Sequence, residues 1–139
     1  MSEIERMLET YAAAARARDV DALLALYADD VVLFDAWESW STRGVDAWRK
    51  GIEAWFAGAG DDVLAVTFDE LEERVAGDAA VAHMIVRYAA EAADGEELRA
   101  LESRMTWALE RRDGSWRVVH EHSSAPAQFA TGTIAYARA

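Results

Sequence analysis

The chain has 139 residues, with 26 acidic against 14 basic side chains for a formal net charge of −12, and no cysteine. That balance argues against nucleic acid, whose phosphates need clustered Lys and Arg, and the missing cysteines exclude disulfides and thiolate metal sites. A chain this long can bury about two thirds of its unfolded surface without a staple, so one domain over 1–139 is expected.

The opening MSEIERMLETY lacks the basic start and apolar run of a secretory signal, and no apolar stretch is long enough to span a membrane. A cytoplasmic protein is therefore expected. Ser2 with Glu5 forms a capping-box pattern, and Ile4, Met7, Leu8 and Tyr11 fall at helical spacing, predicting a first helix that fades near Arg18. Asp19 caps a second, short helix with Val20, Leu23, Leu24 and Tyr27 on its apolar stripe. Residues 31–35 read as a strand, 37–43 as a loop, and 45–56 as a third helix presenting Val45, Trp48, Ile52, Trp55 and Phe56.

From Val63 the pattern changes to strands. Asp94 with Gly95 and Asp113 with Gly114 are the dipeptides favoured in two-residue hairpin loops, and Gly77 with Asp78 marks a weaker turn. Four long strands follow, over 63–76, 79–93, 96–112 and 115–124, with Pro126 ending the last. Three helices before a meander indicate an α+β fold: helices packed on a strongly curved antiparallel sheet, a cone-like half-barrel enclosing a pocket.

Two-residue loops at both turns predict a register. Met84 faces Met105, Ala82 faces Trp107, Tyr88 faces Leu101, Leu109 faces Val118, Trp107 faces His120 and Met105 faces His122. Those residues share one apolar face, directed at the helices. Arg87, Glu102, Arg104, Thr106, Glu121 and Ser123 fall on the other, with Arg87 opposite Glu102 as an ion pair. This mixed outer face, with Ile85 and Val119, suits a partner surface.

The segment 111–126, RRDGSWRVVHEHSSAP, together with the order of helices and strands over residues 4–126, resembles the SnoaL-like branch of the nuclear transport factor 2-like superfamily. The closing hairpin is also similar to the association domain of calmodulin-dependent kinases. The resemblance implies a homodimer built through the outer sheet face. Residues 11–35, YAAAARARDVDALLALYADDVVLFD, resemble the opening of bacterial ketosteroid isomerases of that superfamily. It implies that Asp35 corresponds to their general base and Tyr11 to a tyrosine near their start. Trp107 stands at or near the point where those enzymes carry a protonated Asp, so steroid isomerisation itself is not implied.

Asp35 ends an apolar strand, where a carboxylate facing a cavity would have its charged form disfavoured and its proton affinity raised. The competing reading is a strand-end acid that caps the loop to Trp37. His120 and His122, two apart on one strand, point the same way and are candidates for an acid–base pair beside Asp35, or for satisfying buried polar neighbours. Tyr11, Tyr27 and Tyr88 are candidate hydrogen-bond donors to a ligand, or core aromatics. Trp37, Trp40, Trp55, Trp107, Met84 and Met105 complete the candidate lining. No phosphate loop or nucleophile elbow is present, so no nucleotide cofactor is expected, and two histidines at this spacing carry no metal assignment. Two functions remain open: a cofactor-free isomerase, cyclase or dehydratase acting on a small hydrophobic or aromatic ligand, and a non-catalytic binding or association module.

Overall fold

The computed structural model describes residues 1–138. Helix α1, Glu3–Ala17, opens on the expected capping box: the Ser2 side chain accepts from the Glu5 N–H and the Glu5 side chain accepts from the Ser2 N–H. It closes at Arg18 in the left-handed region. Helix α2, Val20–Leu24, begins at Asp19, whose carboxylate accepts from the Ala22 N–H at 3.0 Å. Replacing Asp19 by Ala leaves that N–H without a side-chain partner and is expected to cost about 1 kcal/mol, read as a lower urea midpoint. An unchanged midpoint would show that this cap contributes nothing.

Strand β1, Tyr27–Phe34, is longer than the sequence predicts, and a short β2, Thr42–Arg43, lies in the expected loop. Gly44 precedes α3, Val45–Gly58, with φ 86°, a backbone that side chains beyond glycine rarely adopt. Its N–H donates to the Val31 carbonyl at 2.7 Å, tying α3 to β1. Strands β3, Val63–Ala76, β4, Ala79–Glu91, β5, Glu97–Arg112, and β6, Ser115–Ser124, form the expected meander. A small hairpin, β7 at Ala127–Gln128 and β8 at Thr133–Ile134, follows Pro126.

The main sheet runs β2-β1-β6-β5-β4-β3. It is mixed rather than antiparallel, because β1 pairs with β6 in parallel. After β1 the chain crosses through α3 to the far edge, and the meander returns to bring β6 beside β1. The helices cover one face, where Ile4, Tyr11, Leu23 and Ile52 meet Leu33, Met105, Trp107, Leu109 and Val118 in one core.

The β4–β5 register is as expected, with Met84 opposite Met105, Ala82 opposite Trp107 and Tyr88 opposite Leu101. It is reached differently, since Glu91 pairs with Glu97 across a wider turn and an irregularity at Ala90 restores the count. The β5–β6 hairpin begins as expected, Arg112 opposite Ser115 and Leu109 opposite Val118. Asp113 and Gly114 both have positive φ, as a two-residue primed turn requires. A bulge then shifts the pairing: Ala108 faces His120, Trp107 faces Glu121 and Met105 faces Ser123. One extra residue on β6 turns every later side chain to the opposite face. The expected pairs Trp107 with His120 and Met105 with His122 are thereby corrected.

The outer face also differs in its partners. Arg87 lies opposite Glu102 as expected but pairs its guanidinium with Glu97 at 2.8 Å. Glu102 is taken by the C-terminal segment: its N–H donates to the Tyr136 carbonyl, and its carboxylate accepts from Arg138. Arg138 also reaches Asp69 and Glu70 on β3, while Tyr136 stacks on Trp37 at 5.5 Å.

Candidate functional site

Along β1 the side chains alternate, so Val31 and Leu33 are buried while Phe34 points outward. Asp35, two beyond Leu33, turns inward at the strand end and is half-buried. The Trp37 N–H donates to Asp35 Oδ1 at 3.0 Å, and this local turn sets both the carboxylate and the following loop. Burial raises the Asp35 proton affinity above the ordinary carboxylate value, and the Trp37 bond partly opposes it.

Asp35 faces a cavity of about 570 Å³ between α1, α3, the β1–β2 loop and the inner sheet. Its walls are Tyr11, Asp35, Trp37, Glu38, Ser39, Thr42, Trp48, Gly51, Ile52, Ala54, Trp55, Tyr88 and Leu101. Tyr11 is held edge-on to Phe68 at 5.5 Å and Tyr88 edge-on to Trp55 at 5.7 Å, which orients both rings. The Tyr11 and Tyr88 hydroxyls are neighbours, and burial holds both well above the usual phenol range. They therefore stay protonated and can serve as hydrogen-bond donors.

A carboxyl that the sequence reading placed outside lies deeper. Glu121 is only 3 % exposed, and its Oε1 accepts from the Tyr27 hydroxyl at 2.5 Å and from the Trp107 indole N–H at 2.9 Å. Among the described residues no hydrogen bond reaches its Oε2. Burial lifts the Glu121 acid to about 7, against the lowering effect of its two donors, with the charge of Asp35 adding to the rise. Tyr27 is pushed up by burial and by Glu121. Two carboxyls, Asp35 and Glu121, thus act on the same interior, with three tyrosines around them.

The expected site divides accordingly. Tyr11, Asp35, Trp37, Trp55 and Tyr88 meet at the cavity. Tyr27, Met84, Met105 and Trp107 are core residues behind it rather than wall. Trp40 is almost fully exposed, in a shallow outer groove with Phe34 and His122. His120 and His122 are on the outer face: each packs edge-on against Phe34, and His120 Nδ1 is 2.6 Å from the Val32 carbonyl. They do not line the cavity, which corrects their expected placement, and the bulge in β6 is the cause. Among the described residues no group of three or more His, Asp or Glu is arranged to hold a metal ion.

Glu121, Trp48, Glu38 and Thr42 were missed by sequence reasoning as site residues. For Glu121 a signal existed: a buried indole N–H such as that of Trp107 requires an acceptor across the strand. Trp48 was read only as part of an apolar helix side. No sequence signal placed Glu38 or Thr42 in the wall.

The model of the SnoaL-like domain family matches residues 4–128. The chain belongs to this family. Among solved structures, this SnoaL-like domain is similar to an NTF2-like protein of unknown function from Pseudomonas putida, at 31 % identity and TM-score 0.85, covering 99 % of this chain and 94 % of that one. It shares its fold with Aln2 from a Streptomyces species, at 15 % identity and TM-score 0.79, covering 88 % and 87 % of the two chains. It also shares it with a nuclear transport factor 2 (NTF2-like) superfamily protein from Salmonella enterica serovar Typhimurium, at 21 % identity and TM-score 0.71, covering 94 % and 93 %. A search of curated protein sequences finds no match. Among the described residues no helix of this SnoaL-like domain is long and apolar enough to cross a membrane.

Proposed function

We propose that this SnoaL-like domain binds a small hydrophobic ligand in the cavity and moves a proton next to the ligand's carbonyl without a cofactor. The single observation that supports this reading is Asp35: a half-buried carboxylate with raised proton affinity, opening onto the wall that carries the Tyr11 and Tyr88 hydroxyls. In this reading Asp35 removes the proton as general base. The carbonyl oxygen gains negative charge as the C–H bond breaks. Tyr11 or Tyr88 donates a hydrogen bond to that oxygen, in surroundings where water does not compete. Glu121 holds the Tyr27 hydroxyl and the Trp107 indole in place and so acts as a positioning residue. His120 and His122 take no part in this step.

The test is deuterium uptake from heavy water into a panel of hydrophobic cyclic ketones, some carrying a tertiary amine remote from the carbonyl, followed by proton NMR. The intact protein is expected to accelerate exchange at carbons next to the carbonyl. Asp35→Asn should slow it by about 10²–10⁴-fold, the usual contribution of a positioned base. Equal rates for the two proteins would remove Asp35 from the mechanism. A ketone that binds but never exchanges would favour the second function, a module that holds its ligand unchanged.

The same proposal includes a cytoplasmic homodimer joined through the outer sheet face, where Val81 is exposed and Ile85 only partly covered. Sedimentation at micromolar concentration checks the assembly, and a monomer there would count against it.

A further inference from the structure

The cavity wall has a one-sided charge. Asp35 and Glu38 both belong to it, and no Lys, Arg or His does. Neither the half-buried Asp35 nor the exposed Glu38 enters an ion pair with any described residue, although the partly covered acids Glu102 and Asp62 are paired, with Arg138 and Arg99. Glu121 adds a third acid behind the wall. The remaining surface is largely aromatic, from Tyr11, Trp37, Trp55 and Tyr88. The chain as a whole carries −12, so its field favours the approach of cations.

A neutral ligand filling this space would strip water from Asp35 and give no counter-charge in return, which is costly for a carboxylate. An anionic ligand would add repulsion. A cation is attracted by both carboxylates and by the faces of the rings beside them. We propose that the ligand is an organic cation, an amine or quaternary ammonium on a hydrophobic body, with its charge between Glu38, Asp35 and the indoles at the mouth. This rests on the reading that the cavity holds a small molecule, and it names that molecule's class. The hydrophobic body occupies the deeper part, where Ile52 and Leu101 meet the tyrosine rings.

The test uses four probes of one shape and different charge: 2-(2-naphthyl)ethylamine, its N,N,N-trimethyl derivative, 2-(2-naphthyl)ethanol and 3-(2-naphthyl)propanoate. Binding to the full chain is measured by calorimetry at low salt, with tryptophan fluorescence as a second readout. Both cations are expected to bind at least about tenfold more tightly than the alcohol, with the propanoate weakest. Glu38→Gln should weaken the cations about tenfold and leave the alcohol unchanged, and added salt should weaken the cations alone. If the alcohol or the propanoate binds as tightly as the amines, the cation assignment fails while the cavity reading survives. If no probe binds, both fail.

Discussion

Trp107→Ala is expected to lower the unfolding free energy by about 3–5 kcal/mol, a large share of the 5–15 kcal/mol typical of a domain. Trp107 is fully buried at the centre of the core. The helix layer covers its face of the sheet, and little in a well-packed β interior can move to fill the space an indole leaves. The substitution also removes a donor from Glu121, whose Oε1 would keep only the Tyr27 hydroxyl. A buried carboxyl that loses a partner costs more than the bond itself is worth. Trp107→Phe separates the two effects, since it keeps most of the ring volume and deletes only the N–H. At pH 8, where Glu121 is ionised, it should cost about 1.5–3 kcal/mol, the range for a bond to a charged group. Urea unfolding followed by circular dichroism measures both. A Phe variant as stable as the parent would mean that the indole N–H bond to Glu121 contributes nothing.

Glu121→Gln should change how stability depends on pH. The folded protein binds the Glu121 proton with a value of about 7, against the ordinary glutamate value of 4.5 for the unfolded chain. The folded state therefore holds this proton more tightly than the unfolded state does. The stability this contributes is fully present below the unfolded value, and it is lost as pH rises through about 7. Over that window the loss is on the order of 3 kcal/mol. Gln copies the neutral acid, keeping an oxygen that can accept from Tyr27 and Trp107 while having no proton to lose. The variant should match the parent near pH 4 and exceed it at pH 8. Asp30, Glu97 and Glu102 have lowered values set by Arg112, Arg87 and Arg138, so they act at lower pH and with the opposite sign. Both proteins contain them, and they cancel in the difference. Parallel curves across pH 4–8 would show that Glu121 is not the buried titrating acid.

How much of this was legible can be judged from particular positions. The α1 capping box, the Asp19 cap and the strands β3 and β6 are local features, and each appears where the sequence places it. The β4–β5 register was also legible, although by cancellation of a wider turn and an irregularity. The parallel pairing of β1 with β6 was not legible, because it joins segments on opposite sides of the meander. The C-terminal clasp of Tyr136 and Arg138 was not either, for it depends on where β5 leaves a free backbone N–H.

The candidate site shows the same division. Tyr11 and Asp35 came from helical spacing, a strand end and a family resemblance, and both lie on the cavity wall. The histidines and Glu121 exchanged places because of one bulge. Residue alternation along VVHEHSS is compatible with either facing, and a period of two turns a shift of one residue into a complete reversal. The sequence by itself determined the order of the three helices and the five main strands, the caps, the primed turn at Asp113 and the family pattern, since all of these are short-range preferences of backbone and side chain. Only the tertiary structure decided which acid is buried, which rings form the wall and where the chain's end is held. Those depend on the balance between packing Trp107 with an acceptor and burying an imidazole, and that balance exists only once β5 and β6 meet under the helices.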